Sequence, residues 1–317
     1  MSRHRFRRSA RPERSRRVAA TAVASTLLIL PWLLVAAQGP GNAAGTGTLK
    51  PIVPGHYLYS TLNGGRPFNS GVIATGDGVL VVDALGSEAA ARAERDAIAS
   101  VIRQPVRYLV SSPFHDPFSK GNIAYADVIK IGHVNYRTGL IDQMGRGGLP
   151  ADERRARLPT ITFRDRLTIH LGGKEIQVLF FGRAHTDGDS IVFVPQDRIA
   201  YLSEVFFSGE FPNMAQGYGV SWLRVLDAVE ALDADIFVPG HGPLPADPKS
   251  TRAGLRQMRQ ILADARDALR TEIARGATED QAAAAVTLPQ YEKMPNYAAQ
   301  RETTVRRMYK DLMGQLR

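Results

Sequence analysis

The sequence predicts an α/β protein in which two sheets stack face to face with helices outside, a four-layer arrangement. Three observations predict it. Short apolar runs bounded by turn residues recur along most of the chain, which is how buried strands read. Helical stretches separate only some of these runs, so the strands fall into two groups, each followed by helices. No internal repeat at the periods of solenoids is present, which removes stacked-repeat architectures.

The elements follow in order. Residues 43–54 read as a small-residue linker. His56–Leu62 alternates as a strand and closes at Asn63-Gly64-Gly65. Ser70–Thr75 and Val79–Asp83 flank Gly76-Asp77-Gly78, a hairpin signal. Ser87–Arg103 is an Ala-rich helix with Ser87 as N-cap, ended by Pro105. Val106–Val110 is a strand, Ile123–Ala126 is helical, Val128–Ile131 is a strand, and His133–Met144 is a helix. Arg146–Pro159 is polar and flanked by Gly and Pro, so it reads as a surface excursion. Strands follow at Ile161–Phe163, Leu167–Leu171, Ile176–Phe181, Ser190–Pro195 and Arg198–Leu202. Ser221–Leu232 is an amphipathic helix and Ile236–Pro239 a buried strand. From Asp247 the chain is helical to its end, broken near Gly276 and around Pro289–Pro295.

Charge is unevenly spread. Residues 1–17 hold eight arginines against Glu13, which is +7 of the formal +9. The basic balance therefore belongs to this segment and gives no case for nucleic-acid binding. An almost wholly apolar stretch, Val18–Gln38, follows. A basic start and an apolar run read as an export signal, with retention as a membrane anchor the alternative. The expected organisation is a signal or anchor with linker (residues 1–44), an α/β domain (45–246) and a helical region packed on it (247–317). Cysteine is absent. Disulfides and thiolate chemistry are thereby excluded, and any metal site must use His, Asp or Glu.

Chemistry-bearing residues collect at strand ends. His115 and Asp116 lie in Ser111–Asn122, directly after Val106–Val110. His185 lies in Gly182–Asp189, and His241 in Pro239-Gly240-His241-Gly242-Pro243. All three histidines follow an apolar strand, which places them along one rim of a sheet pair. Imidazole is the commonest zinc ligand, so the shared placement points to a metal. A lone histidine in such a loop would more often be a packing residue. His56, His133 and His170 read as structural. Ser112 and Ser203 lack a histidine–acid pattern, which leaves a serine nucleophile unsupported. Tyr218, Trp222, Phe206 and Phe207 read as core residues or as a groove lining.

Across residues 56–243 the chain resembles the metallo-β-lactamase-fold hydrolases. The resemblance rests on Asn69-Ser70-Gly71-Val72, Val81-Val82-Asp83, Ala184–Ser190 and Pro239–Gly242. It implies an αββα sandwich with one or two zinc ions at one end of the sheets, and a small-molecule substrate. The family's His-x-His-x-Asp-His motif is degenerate here. Aligned on Gly121-Asn122, only His115 survives; Pro113, Pro117 and Phe118 replace the first histidine, the aspartate and the third histidine. The family's later bridging aspartate falls at Glu204. The resemblance thus implies one zinc held by His115, His185, Glu204 and His241, with Asp116 in place of the missing aspartate as proton acceptor. By the same resemblance Asp83 is a supporting strand-end carboxylate, and Asp189 supports the His185 loop. The expected function is an exported metal-dependent hydrolase of an ester, lactone, amide or thioester. The alternative is a non-catalytic envelope scaffold with a decayed metal site.

Overall fold

A computed structural model describes residues 47–316. The expected signal or anchor lies outside these residues. Seven strands form the first sheet in chain order: β1 (Thr48–Val53), β2 (His56–Asn63), β3 (Arg66–Ala74), β4 (Val79–Val82), β5 (Val106–Val110), β6 (Ile129–His133) and β7 (Ile161–Phe163). Pairing is antiparallel from β1 to β4 and parallel from β4 to β7. The second sheet runs β12-β11-β10-β9-β8, with β8 (Arg166–Leu171), β9 (Lys174–Leu179), β10 (Ile191–Val194), β11 (Ile199–Phe207) and β12 (Ile236–His241). Only β11 and β12 pair in parallel there. One antiparallel pair, His241 with Phe68, joins β12 to β3.

The two sheets bury their facing side chains against each other. Leu58, Ile73, Val82 and Ile131 of the first meet Ile176, Val178, Val192 and Val238 of the second in one cluster. Helix α1 (Glu88–Val101) covers the outer face of the first sheet. Ser87 Oγ accepts from the Ala90 amide at 3.1 Å, as an N-cap should. Ala90, Ala91, Glu94 and Ile98 form its buried stripe. The outer face of the second sheet is covered by α5 (Gly219–Glu230), α6 (Thr251–Ala274) and α8 (Tyr297–Leu312), with the short α7 (Glu279–Ala285) beside them. Trp222, Met258, Ile261 and Val305 are buried there. The layers are therefore helix, sheet, sheet, helix, as expected. Trp222 and Phe206 pack in this core.

Two segments differ from the sequence reading. The linker expected at residues 43–54 contains β1, which pairs antiparallel with β2. Pro51 hid it, because proline is confined to edge strands, and β1 is an edge. The surface excursion at residues 146–159 contains α4 (Ala151–Arg157), after α3 (Val134–Arg146). Helix α4 has no apolar stripe but places Asp152 and Glu153 in its first turn and three arginines in its last, which suits the helix dipole. Its last residue, Arg157, is buried.

Glu94 is fully buried beneath α1, with Oε2 accepting from the Tyr125 hydroxyl at 2.8 Å and Oε1 unpartnered. Burial pushes its carboxyl up to about 8, and the nearby Ser70 and Tyr125 hydroxyls only partly offset this. The folded state then keeps a proton that the unfolded chain releases near its ordinary value of 4.5. Stability from this group is full below that value and is lost as pH rises through about 8. Urea unfolding of Glu94→Gln should show a loss between pH 7 and 8 smaller than the wild type's by about 1 kcal/mol. Parallel pH profiles for the two proteins would contradict this.

Candidate metal centre

Strand β5 ends in a loop that delivers His115 to the first turn of α2 (Asp116–Ser119). The His115 carbonyl accepts from the amides of Phe118 and Ser119 at 3.0 Å, which fixes the loop against the helix. Gly121 follows at a point where a Cβ would lie 1.7 Å from the Ala84 carbonyl oxygen, so only glycine fits. Asn122 ties this segment down by donating to Tyr136 Oη and the Arg157 carbonyl, both at 2.9 Å.

His185 sits in the loop after β9. Asp189 holds that loop by accepting from the Thr186 amide and hydroxyl, both at 2.6 Å. Glu204 lies on β11, at an irregularity in its pairing with β12 where Ser203 takes a positive φ of 50°. Gly240 permits that irregularity, since a Cβ there would stand 2.3 Å from the Ser203 carbonyl carbon. Asp83, itself at φ 66°, links two of the segments. Its Oδ1 accepts from the Ser112 amide at 2.9 Å and its Oδ2 from the Ser203 hydroxyl.

These elements bring three donors together. His115 Nδ1 is 2.9 Å from Glu204 Oε2, His185 Nε2 is 3.1 Å from His115 Nδ1, and His185 Nε2 is 3.3 Å from Glu204 Oε2. His115, His185 and Glu204 form the group among the described residues whose ligand atoms converge closely enough for one ion. A tetrahedral zinc with ligands at ~2.0–2.1 Å sets its donors about 3.3 Å apart, so the triangle fits with an opening of a few tenths of an ångström. The tautomer of His185 also fits. Its Nδ1 lies 3.0 Å from the Asn213 carbonyl and must donate there, which leaves the lone pair on Nε2, facing the other donors. His115 Nε2 is buried without a protein partner.

His241 reaches the group indirectly. Its Nε2 lies 2.8 Å from Glu204 Oε1, the oxygen turned away from the converging atoms. Phe207 stacks on its ring at 4.5 Å between centroids, and Phe68 and Phe118 close on it edgewise at 4.4 and 5.2 Å. His241, expected as a ligand, stands here as a partner of the Glu204 carboxylate and outside the closely converging group. Phe118, at the place of the family's third histidine, fills space beside His241 with an apolar ring.

Asp116 also departs from expectation. Gln143 Nε2 donates to its Oδ1 at 2.6 Å, Lys120 Nζ stands 2.9 Å from Oδ2, and Arg157 Nη2 stands 3.4 Å from Oδ1. Partial burial raises its carboxyl, but Lys120 and Arg157 outweigh that and hold it below the usual range. A carboxylate so engaged is a weak base, which argues against the proton-acceptor role.

Electrostatics bind the cluster. Burial alone would raise Glu204, but His185, His115 and His241 hold it well below its ordinary value. Burial would lower His115, yet Glu204 overcomes this and takes it up to about 9. His185, more deeply buried, falls to about 4. Burial raises Asp83 and Asp189 to about 7 each. The cluster opens on a cleft of about 360 Å³ lined also by Arg66, Gln143, Asn213 and Gln216.

Residues 63–241 match the family model of the metallo-beta-lactamase superfamily, over half of the chain. The chain belongs to the metallo-beta-lactamase superfamily. It is similar to 2,4-dinitroanisole O-demethylase subunit alpha of Nocardioides sp. (strain JS1661), at 28% identity over 52% of this chain and 49% of that one. It is also similar to the linear primary-alkylsulfatase of Pseudomonas sp. (strain ATCC 19151), at 27% identity over 49% of this chain and 31% of that one. The chain thus spans about half or less of these relatives' lengths. Among solved structures, an inverting sec-alkylsulfatase from Pseudomonas sp. superposes with a TM-score of 0.62 at 16% identity, covering 84% of this chain and 50% of that one. A metallo-beta-lactamase from Pseudomonas aeruginosa, in its mono-zinc form, superposes at 0.57 and 16% identity, covering 68% and 95%. At these identities the structures establish the fold.

Sequence reasoning named His115, His185 and Glu204, whose donor atoms the structure brings together. It did not find Asn213, whose carbonyl sets the His185 tautomer, and a backbone acceptor leaves no signal in side-chain pattern. Asp83→Ala should leave the Ser112 amide and Ser203 hydroxyl unsatisfied in the core and cost about 2–4 kcal/mol in urea unfolding. A loss below about 0.5 kcal/mol, the size of a surface change, would contradict this anchoring role.

Proposed function

We propose that this superfamily member is a zinc-dependent hydrolase with a single ion at His115, His185 and Glu204, exported or anchored through residues 1–38. The observation that carries the reading is the convergence of three donors, two of them buried, beside an open cleft that His115 and Glu204 line. Three protein ligands with one position left open is the arrangement of catalytic zinc. Bound there, zinc supplies Lewis-acid polarisation of the scissile group. The chain's own residues do the rest. His241 fixes Glu204 through Oε1 and leaves Oε2 for the ion. Asn213 presents His185 in the right tautomer. Gln143 and Gln216 offer amides along the cleft wall to orient a small substrate.

The substrate class is an ester, lactone, amide or thioester. Arg66 supports a negatively charged one. Its guanidinium lines the cleft and is held by Glu210 at 2.6 and 3.1 Å, a fixed fork rather than a mobile cation. Two of the similar proteins are named as alkylsulfatases, which makes a sulfate ester, a substrate without an acyl carbon, the second reading. The arginine-rich start and the apolar run at residues 18–38 support export.

Metal analysis after zinc loading and desalting tests the reading. The wild type should retain about one zinc per chain, and His185→Ala and Glu204→Gln less than about a tenth. His241→Ala should retain most of the metal, because its imidazole holds the carboxylate and not the ion. Hydrolysis of a panel of chromogenic esters, thioesters, lactams and alkyl sulfates should fall at least about a hundredfold in His185→Ala. Zinc-free wild type, or equal turnover by His185→Ala, would overturn the proposal.

A further inference from the structure

A second cavity lies behind the His185 loop, outside the cleft described above. It has a volume of about 400 Å³, and Arg183, Arg224 and Arg270 all line it, against one carboxylate, Asp311. That carboxylate is already engaged, with Oδ2 accepting from the Val220 amide at 2.8 Å and so closing the start of α5. Among the described residues, Arg183 and Arg224 have no carboxylate within ion-pair distance, and Arg270 has Asp267 at 3.7 Å. By contrast Arg266, Arg275 and Arg306, on or beside the same helices, each meet a carboxylate at 2.7 Å or less. Three cations gathered on one cavity repel one another, and among the described residues Asp311 is the one carboxylate in its lining.

One of the three is also held in place. The Arg183 guanidinium stacks over Tyr218 at 4.7 Å, while Arg307 lies over the same ring at 5.4 Å and donates to the Gly217 and Gln216 carbonyls at 2.8 and 3.0 Å. A stacked guanidinium loses less freedom on meeting an anion than a loose one. Ser221 adds a hydroxyl to the wall, and Val220, Leu312 and Leu316 make part of it apolar.

We propose that this cavity binds a phosphate group borne by an organic molecule, with Arg183, Arg224 and Arg270 taking the phosphate oxygens and the apolar wall taking part of the organic remainder. Phosphate fits three guanidiniums better than a carboxylate, because its oxygens accept several forked pairs at once. The phosphate belongs to a soluble metabolite or to a lipid headgroup, and both share this chemistry. The site is independent of the zinc reading, although the Tyr218 amide donates to the Ala184 carbonyl at 2.8 Å, beside His185.

The test uses the full chain and Arg224→Gln/Arg270→Gln, a pair of exposed positions whose loss leaves the core intact. Thermal melts with inorganic phosphate, set against sodium chloride at equal ionic strength, should show a rise in Tm for the wild type. The apparent phosphate affinity should fall at least about tenfold in the double variant, whose melt without phosphate is unchanged. Flotation with phosphatidylglycerol vesicles, against phosphatidylcholine, separates the two sources. A double-variant defect in vesicle binding without any free-phosphate effect assigns a headgroup, and a free-phosphate effect alone assigns a soluble ligand. If phosphate acts no differently from chloride and the two proteins float alike, the proposal is overturned.

Discussion

Glu204 is 4% exposed, and a carboxylate buried that deeply must be met by partners or lose its charge. Three imidazoles from three distant segments meet it, two at Oε2 and one at Oε1. The rest of the site follows from this contact. It raises His115 above its ordinary value against the effect of burial, and keeps the open end of the sandwich together. It also sets the three ligand atoms at the spacing one small cation needs. A cation held by His115, His185 and Glu204 would supply the positive charge that the carboxylate requires.

The outer parts of the fold serve that contact. Asp83 ties the Ser112 amide to the Ser203 hydroxyl, so the segments carrying His115 and Glu204 are fixed to one another. Asp189 fixes the His185 loop from the other side. The single pair between Phe68 and His241 brings the two sheets into register at this end. Phe68, Phe118 and Phe207 then wedge His241 against the Glu204 carboxylate. The degenerate motif is thus a coherent substitution: where a third histidine is expected, an aromatic ring fills the volume.

Much of this was legible in the sequence because it depends on local pattern. Apolar runs stopped by Gly and Pro placed His115, His185 and His241 at strand ends, and the hairpin at Gly76-Asp77-Gly78 and the Ser87 cap depend on their own residues. What escaped depends on distant partners. Asp116 looked available until Gln143 of α3 and Arg157 of α4 arrived beside it. The role of His241 turns on three phenylalanines from three different segments. Strand β1 was hidden by Pro51, whose tolerance requires knowing that the strand is an edge. Helix α4 was hidden because it has charge order but no apolar face.

The most direct test of the shared-carboxylate site is diffraction from zinc-soaked crystals at wavelengths on either side of the zinc absorption edge. The account predicts one anomalous peak, about 2.0–2.2 Å from His115 Nδ1, His185 Nε2 and Glu204 Oε2, with His241 still bonded to Oε1. Two peaks, a peak ligated by His241 or Asp116, or no peak at full soak would contradict it.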